Sequence, residues 1–155
     1  MATVHLLCGR PGSGKTTFAR ELEETQRAVR YTYDEWMVQL YGRSPEQFEA
    51  LFNRVSNLIW RIATRNLALG TDVILDKGFW YKRDRENTRQ AAAAIGADSK
   101  LYFLDASIDV LRKRVLNRSK SDHDALWIND QAFTEFINRF EPPGDDEDFI
   151  LIRTG

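Results

Sequence analysis

Short, almost continuous apolar runs alternate along the chain with longer stretches whose apolar residues recur every third or fourth position. Val4 to Cys8 is the first run and reads as a buried strand. A glycine-rich loop over 9–14 follows, then a helix from Lys15 to about Arg27 with Phe18, Ala19 and Leu22 on one side. Val29 to Tyr33 is a weaker strand rich in β-formers. It ends at Asp34, where a short helix through Trp36, Met37 and Leu40 begins and Gly42 closes it. Ser44-Pro45-Glu46-Gln47 offers an N-cap, a proline at the first helical position and a capping-box glutamine, so it predicts a helix start. The apolar face of that helix is Phe48, Leu51, Phe52, Val55, Leu58, Ile59 and Ile62, and Gly70 is its stop.

Asp72 to Asp76 is the third strand. A helix from about Lys82 to Ile95 follows and halts at Gly96. Leu101 to Asp105 is the fourth strand, and Ile108, Leu111 and Val115 mark one face of the next helix. Residues 119–129 read as a polar loop. Gln131 to Phe140 is a last helix, Pro142-Pro143-Gly144 breaks it, and Phe149 to Ile152 is a final strand. Strands that are apolar throughout are buried on both faces. Alternating with helices, they predict an α/β fold whose parallel sheet is covered on both sides.

A length of 155 residues suits one domain, and a 43% apolar share is enough for a core. The net charge of −1 gives no global pull toward nucleic acid or an anionic membrane. No run approaches the ~18 apolar residues of a membrane span, and the first residues are too short for a signal peptide. A cytoplasmic setting is the expectation, with no membrane partner and no obligate protein partner. Cys8 is the single cysteine, so no internal disulfide forms, and its apolar neighbours predict a buried small side chain. Asp145 to Asp148 reads as a solvated acidic turn. His5 and His123 are isolated and receive no role.

Chemistry enters at Gly9-Arg10-Pro11-Gly12-Ser13-Gly14-Lys15-Thr16, which fits G-x-x-x-x-G-K-[ST] and is followed by Thr17. Its glycines let backbone N–H groups converge on phosphate oxygens, and the next helix points its positive end there. Lys15 would reach the β- and γ-phosphates of ATP, and the Thr16 hydroxyl would bind Mg²⁺. Asp76 ends an apolar strand, where ligands of parallel sheets gather; it would hold Mg²⁺ through water or face the substrate, or be an ordinary loop aspartate. Asp34 ends the second strand and would accept a proton from a substrate hydroxyl, or cap the helix that follows. Arg114 and Arg118 stand one turn apart. They would close on the triphosphate from a lid, or form a solvated basic face. Trp80 and Tyr81, with Arg83, Arg85 and Arg89, would stack on a ring and grip a substrate phosphate, or serve packing and surface charge.

Leu7 to Thr17, Tyr33-Asp34-Glu35-Trp36, Val73 to Asp76 with Gly78-Phe79-Trp80, Leu111 to Arg118, and Phe140 to Pro143 together resemble the small P-loop kinases of the AAA_33 group. These include 5′-hydroxyl polynucleotide kinases, chloramphenicol phosphotransferase and, more distantly, the zeta toxins. The resemblance implies a three-layer P-loop NTPase fold with a five-stranded parallel sheet in the order 2-3-1-4-5. It implies ATP·Mg²⁺ as donor, Asp34 as general base, and a lid around 112–130 carrying Arg114 and Arg118. It also implies that Glu141 to Pro143 lie by the adenine. A two-domain end-healing enzyme with a phosphatase domain is not expected, and Glu35, Trp36 and Met37 stand where polynucleotide kinases usually carry further arginines. That departure favours a more apolar acceptor pocket walled by Trp36 and Trp80.

The expected activity is transfer of the γ-phosphate to a hydroxyl of a small molecule or a nucleic-acid 5′ end. The alternative is an ATP-binding module with weak ATPase activity that acts through a protein partner. A GTPase is disfavoured because no N-K-x-D signature occurs, and an AAA+ motor because no length remains for a helical lid domain.

Overall fold

Neighbouring residues on a strand point to opposite sides of a sheet, and here that alternation builds a core on each side. Val4, Leu6 and Cys8, with Val73, Leu75, Leu101 and Phe103, belong to one cluster. Leu7, Ile74, Tyr102 and Leu104 belong to another. In a computed structural model that describes residues 1–122 and 125–155, the strands are β1 (Thr3–Cys8), β2 (Val29–Thr32), β3 (Val73–Gly78), β4 (Asp98–Asp105) and β5 (Ile150–Arg153). They form one sheet in the order β2-β3-β1-β4-β5, and every pairing is parallel. His123 and Asp124 lie outside the described residues.

The helices are α1 (Lys15–Gln26), α2 (Tyr33–Tyr41), α3 (Phe48–Ala68), α4 (Lys82–Ala94), α5 (Ile108–Ser121) and α6 (Asp130–Arg139). Met37 of α2, Val55, Ile59, Ala63 and Leu67 of α3, and Ala92 of α4 pack on the first face. Ala19 and Leu22 of α1 cover the second. Leu111 and Val115 of α5 meet Phe133 of α6 in a third cluster. The fold is thus a three-layer α/β P-loop fold in the expected strand order.

Three local expectations fail, each because a distant partner outweighs a local signal. Ser44 does not cap α3: the helix begins at Phe48, after Gln47 at φ 56°. Arg43 instead donates to the carbonyls of Ser119 and Ala125, both at 2.7 Å, and holds this segment against α5. Residues 119–121 are helical, and the Ser119 hydroxyl bridges the Ile128 backbone N–H and C=O at 3.1 Å each. The acidic turn is only partly solvated, because Glu147 is buried against Arg85 of α4. Cys8 is buried as expected, with its thiol pushed up to about 12 by burial.

His5 has a structural role that its sequence position does not reveal. Its ring is buried and lies 2.9 Å from the Tyr102 hydroxyl and 3.3 Å from the Asp72 carboxylate. Burial lowers its pKa, opposed by Asp72 and aided by Lys100. The unfolded chain therefore takes up this proton first, so stability from His5 is present above about pH 6.5 and lost as the pH falls through the lower folded value. We expect the melting temperature to drop between pH 7.5 and 5.5, and a His5→Gln variant to lose part of that drop.

Candidate active site

The strand-to-helix turn after β1 wraps around an empty centre because its glycines have no room for side chains. A Cβ at Gly9 would stand 2.8 Å from the Leu104 carbonyl oxygen, and one at Gly12 (φ 82°) would stand 2.9 Å from that of Leu111. Gly14 lies at φ 91° and caps α1, so the helix N-terminus opens onto the loop. Neighbouring elements hold the loop from outside. Gly9 N–H donates to the Gly78 carbonyl at 3.0 Å, Arg114 donates to the Gly12 carbonyl at 3.2 Å, and the Thr154 hydroxyl donates to the Ser13 carbonyl at 2.8 Å. Lys15 donates to the Arg10 carbonyl at 3.1 Å. Burial lowers its pKa, while Asp76 and Asp34 raise it.

The loop forms one end of a cleft of about 900 Å³. Asp76 lies at this end, and its Oδ2 accepts from the Thr16 hydroxyl at 2.8 Å and the Thr32 hydroxyl at 3.0 Å. A hydroxyl and a carboxylate this close, beside a phosphate cradle, fit a small hard cation that keeps waters and phosphate oxygens as its other ligands. No group of three or more His, Cys, Asp or Glu residues among the described residues would form a metal cage of its own.

Asp34 is not a cap. The helix N-cap is Thr32, and Asp34 stands within the first turn of α2. It lines the cleft, is open to it, and makes no hydrogen bond or ion pair with the described residues. Its position deep among protein atoms raises its pKa; Lys15 opposes this and Asp76 adds to it. A carboxylate with a raised pKa and free lone pairs is suited to taking a proton.

Arg114 and Arg118 of α5 have different surroundings. Arg114 is occupied by Gly12 and by the carbonyl and hydroxyl of Thr154. Arg118 lines the cleft, its buried Nε has no partner, and its charge reaches both Asp34 and Lys15. Arg10 points away from the phosphate cradle, pairing with Asp105 at 3.2 Å and lying over the Phe140 ring at 4.6 Å.

The far wall consists of Phe48, Phe52 and Asn53 of α3, Trp80 and Tyr81 after β3, and Phe136 of α6. Trp80 packs on Phe136 with centroids 4.7 Å apart. Trp36 is not part of this wall; it packs on Tyr31 with centroids 6.1 Å apart. Nor do Arg83, Arg85 and Arg89 reach the cleft. Arg83 is exposed, Arg85 is buried against Glu147, and Arg89 donates to the Asp148 carbonyl. Glu141 binds the backbone around Trp80 and Lys82. A shallow depression beside the P-loop is lined instead by Gly12, Thr17, Phe18, Arg114 and Thr154.

Lys77 also lines the cleft, and no sequence pattern singles it out. Its ammonium lies 5.8 Å from the Tyr33 ring centroid and 5.3 Å from that of Phe79. Phe79 itself is buried at φ 49°, directly after Gly78 at φ 105°.

Comparison with known proteins agrees with this architecture. The family model AAA_33, described as an AAA domain, matches residues 4–143. No curated protein matches the sequence. Among solved structures, a Chloroflexus aurantiacus j-10-fl protein assigned as a kinase is similar over 98% of this chain and 86% of its own, with 20% identity and a TM-score of 0.77. A gluconokinase from Sinorhizobium meliloti 1021 is similar over 98% of this chain and 82% of its own, with 15% identity and a TM-score of 0.68. Chaetomium thermophilum Kti12, in complex with ADP-AlF3, is similar over 97% of this chain and 88% of its own, with 18% identity and a TM-score of 0.74.

Proposed function

The chain belongs to the AAA_33 family, and on that footing we propose that it is an ATP-dependent kinase that phosphorylates an alcohol. One observation carries the proposal. Asp34, a carboxylate with no capping bond and no ion pair among the described residues, opens into the same cleft as the P-loop, beside Lys15, Asp76 and Arg118. A nucleotide-binding module has no need of an unpaired carboxylate there, because it repels phosphate. A kinase needs a base there.

The backbone N–H groups of 9–16 and Lys15 bind the β- and γ-phosphates. Thr16 and Asp76 would hold Mg²⁺, which neutralises charge on the transferring phosphoryl group. The acceptor enters from the Phe48, Phe52 and Trp80 side with its hydroxyl at Asp34. Asp34 takes the hydroxyl proton as that oxygen bonds to the γ-phosphorus; the bond from phosphorus to the β–γ bridging oxygen breaks, and ADP leaves. Arg118 reaches the phosphates from its place on the cleft wall, and the part of the 112–130 segment beyond α5 would act as a lid that excludes water; His123 and Asp124 of that segment lie outside the described residues. Arg114 is better suited to the nucleotide side, where the depression by Thr17 and Thr154 accommodates the adenine.

The test is transfer of radiolabelled γ-phosphate from ATP to a panel of 5′-hydroxyl oligonucleotides, nucleosides, sugars, sugar acids and hydroxyl-bearing antibiotics. We expect slow hydrolysis alone and a labelled product with one class of acceptor. Acceptor-independent ATPase activity, together with a stable protein partner, would favour a nucleotide-sensing module instead.

A further inference from the structure

β1 and β3 pair in register from Val4↔Val73 to Leu7↔Asp76, but the next pair is Cys8↔Gly78. Lys77 is therefore an extra residue, bulged out of the ladder. A bulge breaks strand alternation and re-aims a side chain, and bulges recur beside active sites. Here the break falls directly after Asp76. Asp76 stays turned toward Thr16 and Thr32, while Lys77 is directed across Tyr33 and Phe79 into the cleft.

A lysine seated between two aromatic rings has given up much of its water, and such ammonium groups are normally paired. Lys77 makes no ion pair and no hydrogen bond with the described residues. Asp84 is the one carboxylate whose charge reaches it, from beyond ion-pair distance. The remaining ring contacts form a continuous row: Tyr33 meets Phe52 at 5.9 Å, and Phe52 stacks on Phe48 at 5.5 Å. Lys77 thus marks the cationic end of the apolar acceptor wall. Lys77 and Asp34 line the same cleft, so one acceptor bound there can meet both.

From the bulge, the missing counter-ion and this wall we propose that the acceptor is an anionic alcohol, whose carboxylate or phosphate group is bound by Lys77 while its hydroxyl faces Asp34. This rests on the kinase reading and narrows it. The ammonium donates to the anion's oxygens, and the ring faces of Tyr33 and Phe79 keep water from the pair. A fixed charge beside the reacting hydroxyl orients a small acceptor, so the proposal favours hydroxy acids and phosphorylated alcohols over neutral sugars and antibiotics.

The experiment compares matched pairs in the presence of ADP and Mg²⁺: gluconate with sorbitol, glycerate with glycerol, and a nucleoside 3′-monophosphate with its nucleoside. Binding is read by calorimetry and phosphorylation by label transfer, for the parent, Lys77→Met and Lys77→Arg. Methionine keeps the apolar stem against Tyr33 and Phe79, so it separates charge from packing. We expect at least one charged member to bind better than its neutral partner. That preference should fall roughly 10- to 100-fold in Lys77→Met and be substantially kept in Lys77→Arg, as for loss of one charged hydrogen bond. The carboxylate and phosphate arms identify which anion is used. Charge preference in binding without label transfer would uphold the anion site and count against the kinase reading. Label transfer to neutral members as efficient as to charged ones, or a preference untouched in Lys77→Met, would overturn the anion site and leave the kinase standing. Failure of every charged member to bind would also overturn it.

Discussion

Asp34→Asn should slow phosphoryl transfer by about 10²- to 10⁴-fold, the usual contribution of a positioned base, with ATP affinity essentially kept. The amide is nearly the same size, makes no new charge, and replaces a side chain that holds nothing in place: the N-cap position of α2 is Thr32, and Asp34 makes no hydrogen bond or ion pair with the described residues. The pH profile gives a second readout. Asp34 works as a base only when ionised, and its surroundings raise its pKa. Transfer should therefore decline as the pH falls through a value above the ordinary carboxylate range near 3.9. In Asp34→Asn that acid limb should vanish along with most of the rate. Loss of ATP binding in the same variant, measured by fluorescent-nucleotide titration, would show instead that Asp34 supports the loop.

The second large effect is on folding. Arg85 is completely buried in α4, and its guanidinium meets Glu147 with two bonds, Nε to Oε1 at 2.8 Å and Nη2 to Oε2 at 2.9 Å. Its remaining nitrogen donates to the carbonyls of Phe79 and Glu141, each at 2.9 Å. Removing one member of such a pair leaves the other charge buried and unmatched, which costs about 3–5 kcal/mol. For a chain of this size each kcal/mol lowers the melting temperature by roughly 2–4 °C. We expect Arg85→Met to melt at least several degrees lower, and the double variant Arg85→Met/Glu147→Leu to recover much of the loss. The pair also has an acid signature. Its hydrogen bonds to Arg85 hold Glu147 below its usual value, so the stabilisation is present above about pH 4.5 and fades as the pH falls through the lower folded pKa. A single variant that melts like the parent would mean that Glu147 finds water or another donor.

These two residues also mark the limits of what the sequence discloses. Strands and most helices are legible because each carries its own pattern: Val73 to Asp76 is apolar throughout, and α3 keeps one apolar face for five turns. The phosphate loop is legible because its chemistry requires fixed spacing. The sheet order came from resemblance to a family, and the fold agrees with it. Arg85 is not legible, because its partner lies 62 residues further on and nothing in either segment announces the other. Glu147 accordingly reads as one of four acidic residues in a solvated turn. Lys77 is hidden for a different reason: a single-residue bulge exists only in the pairing of two strands. Ser44 and Pro45 form a convincing helix start in isolation, and it took the hold of Arg43 on α5 to displace it.

The clamp that Thr154 places on the Ser13 carbonyl joins segments 141 positions apart in the chain. The phosphate loop follows β1, yet its outer support comes from residue 154, from the β4–β5 pairing that seats that segment, and from Arg114. The motif is therefore a local property of the sequence, whereas the shape of the cradle belongs to the whole sheet. A change that loosens the β5 edge would loosen the nucleotide site without touching one residue of the motif.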